Sequence, residues 1–235
     1  MLKVTFGLLL TPTTENSHEN MCRGITKWKL TPEELLTQTR DFKTLADMNE
    51  TLVAEINAIV GENDTLYHLG DWSFGGINQI WEFRKQINCK NIHLILGNHD
   101  EHIAKNKKTP NVFWQFRTGE LVDIKNSTSD WDEIANCQDL FSSVNYVLTI
   151  KVGKNTLFLS HYAHRVWNQS HHGVIHLYGH SHNSIDNNYG KSMDVGVDAI
   201  FALTGKYRPI SITEVLDIMD KRDVYFSDHH NRQTN

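Results

Sequence analysis

The chain has 235 residues, 39% of them apolar and 22% charged, enough for one α/β domain that buries a sizeable core without disulfides. Its formal net charge is −5, and no basic run is longer than Lys105, Lys107 and Lys108, which excludes an electrostatic footprint for nonspecific nucleic-acid binding. No apolar run reaches the roughly 20 residues of a membrane span, and Cys22, Cys89 and Cys137 are odd in number without C-x-x-C spacing, so a membrane segment, a disulfide framework and a cysteine zinc site are all unexpected. The apolar start Val4 to Leu10 carries too weak a basic flank and no cleavage site for a signal peptide, and the cytoplasm is the expected location.

Taken in chain order, strands and helices alternate. Val4 to Leu10 reads as a strand, and Thr31-Pro32-Glu33-Glu34 as a helix start with a capping box. Leu45 to Val60 has helical spacing and stops at Gly61. Thr65 to Leu69 is a strand running into Gly70-Asp71, Ile77 to Ile87 a helix, and Ile92 to Leu96 a strand running into Gly97-Asn98. From Lys105 to Asp139, around Trp114, Trp131 and Asp132, no element is predicted. Val144 to Val152 and Thr156 to Ser160 read as a hairpin about Gly153-Lys154-Asn155, delivering His161 at a strand end. Val174 to Tyr178 is a strand ahead of Gly179-His180-Ser181-His182, Met193 to Val197 a further strand, and Ser211 with Glu214 a second capping box. We read residues 1–235 as a single domain with a polar tail from about Asp228.

Histidine is over-represented: seven of the fourteen lie between His161 and His182. Neutral imidazole is the commonest transition-metal ligand, so this density points to a metal site. Four polar clusters stand at ends of separate strands: Gly70-Asp71, Gly97-Asn98-His99-Asp100, Ser160-His161 and Gly179-His180-Ser181-His182. Ligands in α/β sheets bind in the crevice beyond strand ends, so the clusters can converge. Carboxylate, amide oxygen and imidazole together suit Mn, Fe, Zn, Co or Ni, whereas Mg alone prefers oxygen. His164, His171, His172 and His176 are expected on the rim or facing solvent, and His68, Trp72, Phe74 and Trp81 in packing.

In this order, GD, GNHD, SH and GHSH resemble the signature blocks of the calcineurin-like metallophosphoesterase superfamily. The contexts Tyr67 to Phe74 and Leu159 to Tyr162 are similar to its small phage and bacterial members. The resemblance implies a layered α/β/β/α sandwich of two mixed sheets flanked by helices, and hydrolysis of a small phosphorylated or nucleotide substrate, monoester or diester, by a metal-activated water. It implies one or two divalent ions per chain. Asp71 would bridge two ions, Asn98, His161 and His180 would complete one shell, and His182 would bind the other. His99 would face the phosphate and stabilise charge or protonate the leaving oxygen, with Asp100 orienting it. Action on nucleic acid lacks the support of any basic stripe.

The opening departs from the pattern. An Asp-x-His is usual after the first strand. Aligning His18-Glu19-Asn20 with the end of that motif places Thr13 at the Asp and Glu15 at the His. The ion held by Asp71 and His182 would then bind more weakly than its neighbour unless Glu15 or His18 moves in. A degenerate metal- and phosphate-binding protein with little turnover is therefore the alternative reading.

Overall fold

The computed structural model describes residues 4–7, 19–38, 40–115, 120–123, 132–186 and 189–225. Thr13, Glu15, His18, Trp131 and the tail from Asp228 lie outside these residues.

Strand β1 (Val4–Gly7) is followed by helices α1 (Pro32–Thr37) and α2 (Leu45–Ile59), then β2 (Thr65–His68), α3 (Ile77–Arg84) and β3 (Asn91–Ile95). The two predicted capping boxes, at Thr31 and Ser211, are present, and Thr44 adds a cap that was not predicted. Thr31 and Glu34 form the capping box of α1, and the Thr44 hydroxyl accepts the Asp47 N–H at the start of α2. Met48, Leu52 and Ile56 recur every four residues and bury one face of α2. That face, with Ile80, Trp81 and Phe83 of α3, packs on Leu66, Ile92 and Leu94 from one side of the sheet. The pleat sends the alternate residues Tyr67 and Ile95 to the other side.

A short helix α4 (Glu101–Ala104) leads into β4 (Lys108–Gln115), β5 (Glu120–Asp123) and β6 (Asp132–Asn136), an antiparallel sheet of order β5-β4-β6. No element was expected here. The register shifts between Lys108 and Val112, where Pro110 and Asn111 interrupt the alternation that would have announced a strand.

The segment expected as one strand from Val144 is two. Ser143–Asn145 (β7) pairs parallel with β3, Tyr146 stands 71% exposed, and Val147–Val152 (β8) pairs antiparallel with β9 (Asn155–Ser160) in a different sheet. Apolar patterning could not reveal the change of sheet, because both halves are extended and alternate in the same way.

The chain continues through β10 (Ile175–Tyr178), β11 (Ser192–Asp194), α5 (Val197–Thr204), β12 (Ile210–Ser211) and α6 (Ile212–Met219). Two mixed sheets result, β12-β1-β2-β3-β7 and β11-β10-β9-β8, and with their flanking helices they make the expected layered α/β fold. Leu69 and Ile95 from the first sheet meet Leu157, Leu159, Leu177 and Met193 from the second in one apolar core, joined by Val215 and Met219 of α6. Helix α5 was not foreseen, since its short apolar run reads equally as the end of a strand. On the outer side of the second sheet Phe158, Trp167 and Val174 form a separate small cluster. Among the described residues no helix is long and apolar enough to cross a membrane.

Candidate metal centre

The strand-end clusters meet at one end of the sandwich. Beyond β2 the backbone turns through left-handed conformations at Gly70 (φ 99°) and Asp71 (φ 52°). Glycine is required at two positions by close approach. A Cβ at Gly70 would sit 2.4 Å from His161 Nδ1, and one at Gly97 would sit 2.2 Å from Asp71 Oδ1. The first sheet's two loops are thereby pressed against each other and against the loop from the second sheet.

Asp100 is 2% exposed and holds this junction together. Its carboxylate accepts the N–H groups of Gly97 (2.8 Å), Asp71 (2.8 Å) and Trp72 (2.7 Å). Burial pushes its carboxyl up to about 7 against the pull of these amides, and the charge of Asp71 adds to the rise. Asp100 was expected to orient His99; what its carboxylate holds is the backbone at Gly97, Asp71 and Trp72. His99 is exposed, with its ring centroid 4.1 Å from that of Phe74 and its N–H donated to Asp71 Oδ1 at 2.9 Å.

Four donor atoms face one another. His161 Nε2 lies 3.1 Å from Asn98 Oδ1, 3.1 Å from His180 Nδ1 and 3.5 Å from Asp71 Oδ2. Asp71, His161 and His180 form a cluster able to hold a metal ion. His161 Nδ1 donates to the Leu69 carbonyl at 2.7 Å, which leaves Nε2 as the lone-pair atom. Burial lowers the pKa of both His161 and His180, favouring the neutral imidazoles that metals require. With His161 Nε2 bare, the carboxylate, amide oxygen and imidazole lone pairs crowd one another. A cation suits the set, and its mixture of imidazole, amide and carboxylate suits a first-row transition metal. The residues therefore fit a bound divalent ion.

His182 is placed differently. It is absent from that metal-ligating cluster, and its Nδ1 lies 2.8 Å from Asp198 Oδ2. His180, His182 and Asn183 all have left-handed backbone, held in part by the Asn183 N–H on the buried Asp194. Asp198 and Arg40, which meets it at 2.6 Å, were missed from sequence because neither sits in a strand-end cluster. Tyr162 was also missed as a site residue; its hydroxyl donates to Asn98 Oδ1 at 3.4 Å and its ring lies 4.6 Å from that of His180.

The other histidines divide. His176, expected on the rim, is fully buried: its Nδ1 donates to the Phe158 carbonyl and its Nε2 accepts the His164 N–H. It lies on the outer face of the second sheet, which the 161–174 connection covers. His171 and His172 remain at the surface, partly exposed and ring against ring. His68 packs edge-on against Trp72, and Trp72, Phe74 and Trp81 are buried as expected. A cleft of about 660 Å³ opens beside the site, between Met21, Trp28 and Leu30 on one wall and His180, His182 and Ile185 on the other.

This layered fold is that of the metallophosphoesterases. The calcineurin-like phosphoesterase family model matches residues 39–210, and the chain belongs to that family, whose members generally hydrolyse phosphoesters with divalent metals. A solved structure, a protein of unknown function from Aquifex aeolicus, aligns over 93% of this chain and 100% of its own at 15% identity and a TM-score of 0.52, a likeness of fold alone. No curated protein matches the sequence.

Proposed function

We propose that the protein hydrolyses a phosphomonoester or phosphodiester of a small phosphorylated or nucleotide substrate, using a divalent transition metal held by Asp71, Asn98, His161 and His180. The observation that carries this reading is that Asn98 Oδ1, His180 Nδ1 and Asp71 Oδ2 all lie 3.1–3.5 Å from His161 Nε2. A bound ion would supply Lewis acidity and lower the pKa of water in its shell. Asp71 and Asp100 shape the loops that present the donors. His99, exposed at the same junction, is suited to face the phosphate and protonate the leaving oxygen. The cleft lined by Met21, Trp28 and Leu30 gives the organic part of the ester a mostly apolar wall.

The reading is tested by stripping the protein of metal, reloading it with Mn, Zn or Fe, and measuring cleavage of aryl phosphate and bis-aryl phosphodiester. Metal-dependent turnover abolished by Asp71→Ala supports it; failure to retain any of these metals sinks it. Thr13 and Glu15, in place of the usual first ligand pair, favour a second reading, a binding protein that keeps metal without turnover. Saturating metal without turnover would select that reading.

A further inference from the structure

Arg40, in the stretch between α1 and α2, is 0% exposed, and Asp198, in the first turn of α5, is 3% exposed. The guanidinium grips the carboxylate with both arms, Nε to Oδ1 at 2.9 Å and NH2 to Oδ2 at 2.6 Å. The same Oδ2 lies 2.8 Å from His182 Nδ1, while Arg40 NH2 is 3.4 Å from that nitrogen.

Two tautomers are open to the neutral imidazole that binds a metal. If Nδ1 were bare, its lone pair would face a carboxylate lone pair at 2.8 Å, and the Arg40 contact is long at 3.4 Å. If Nδ1 carries the proton, it donates a charge-assisted hydrogen bond to an oxygen that can only accept. Both Asp198 oxygens already accept from the Arg40 guanidinium, so the carboxylate is an acceptor toward the ring.

We infer that Arg40 and Asp198 are positioning residues that lock the neutral His182 ring in its Nδ1–H tautomer and so put the ring's lone pair on Nε2. The inference rests on the functional reading above for the use of that atom, since His182 is the ligand the resemblance gives to the second ion. It says why that histidine can serve. A carboxylate behind an imidazole fixes the ring and raises the basicity of the far nitrogen, and losing such a partner typically weakens metal binding about 10–100-fold.

The test begins with the unmodified full-length protein, labelled with nitrogen-15 and free of metal, in long-range proton–nitrogen correlation spectra. His182 is assigned by difference from His182→Gln. The expected result is the Nδ1–H tautomer; a bare Nδ1 overturns the inference. Removing Asp198 alone would strand a buried guanidinium, so the pair is removed together in Arg40→Met/Asp198→Leu, because apolar replacement of a buried ion pair is commonly tolerated. In that variant His182 should show a mixture of tautomers, and the weaker of two zinc-binding steps should lose about tenfold in affinity by calorimetry. An unchanged tautomer, an unchanged second step, or no second step in the unmodified protein each overturns it. None of these measurements involves hydrolysis, so a protein inactive on every phosphoester would refute the functional reading while the tautomer result still decided this one.

Discussion

Asp100 accepts the backbone N–H of Asp71 at 2.8 Å, across 29 positions of sequence, where Asp71 is left-handed. The carboxylate does not need to touch a metal to govern whether one binds. Asp100→Ala would leave three buried amides without their acceptor, at a cost of roughly 1–3 kcal/mol each before relaxation. Metal affinity at the Asp71 site is expected to fall at least about tenfold in a folded Asp100→Ala protein, as for loss of other groups that orient ligands. Calorimetric titration with Mn or Zn checks this; unchanged affinity would show that Asp71 holds its conformation unaided.

Gly97→Ala is predicted to be more damaging than its size suggests. The new Cβ would arrive 2.2 Å from Asp71 Oδ1 and 2.5 Å from the Asp71 N, so two loops must separate. Loss of metal binding with a thermal midpoint lowered by several degrees is the expected result, measured by elemental analysis and thermal unfolding. Gly153→Ala separates the two costs of a methyl group: nothing lies within 4 Å of its Cβ position, so any loss there reflects its left-handed φ of 59° and should leave metal binding intact.

His99→Ala should separate chemistry from metal binding. His99 is exposed and outside the donor cluster, so the variant should keep its metal while turnover drops on the order of 10²–10⁴-fold, the usual contribution of general acid–base catalysis. If His99→Ala lost the metal and His180→Ala kept it, the two roles would have to be exchanged.

The buried His176 predicts acid sensitivity. Burial, chiefly, lowers its pKa from 6.5 to about 4, so the folded protein keeps it neutral while the unfolded chain protonates it first. The stabilisation is full above the unfolded pKa and is lost as pH falls from 6.5 through about 4. Between about pH 7.5 and about pH 5 this one group should remove about 2 kcal/mol. His176→Gln can still donate to Phe158 and accept from His164, and its urea-unfolding free energy should fall less over that interval. Equal losses in both proteins would place the acid sensitivity elsewhere.

The opening segment predicts a deficit in the second ion. Neutral Thr13 cannot replace a carboxylate, so Thr13→Asp with Glu15→His should tighten the weaker of two metal-binding steps and raise the rate at limiting metal. Metal titration of both forms checks it; two equally tight steps in the unmodified chain would show that no deficit exists.

The convergence of four polar groups was legible because their chemistry is written locally. Asp71, Asn98, His161 and His180 each follow a strand whose apolar run ends in a glycine or serine, and all four converge in the structure. The capping boxes at Thr31 and Ser211 were legible for the same reason, since both partners lie within one helical turn. Arg40 and Asp198 were not, because a pair 158 positions apart leaves no local signature and each looks like a surface charge. His176 misled because alternation along β10 does not say which face of the second sheet is covered, and there a connection of loop and 3₁₀ turn does the covering. The antiparallel sheet from Lys108 stayed hidden behind its own irregular register.

The crossing at Tyr146 has a mechanical meaning. Asp71 and Asn98 hang from strands of one sheet, His161 and His180 from strands of the other, and the chain passes from the first sheet to the second at that single exposed tyrosine. An ion shared by these four groups would act as a clasp across the seam of the sandwich. Neither half can grip it alone, so affinity for the ion becomes a gauge of how completely the two sheets have docked. By mass action the grip works in reverse as well: free metal at about 100 times its dissociation constant would hold the halves together with about 2.7 kcal/mol.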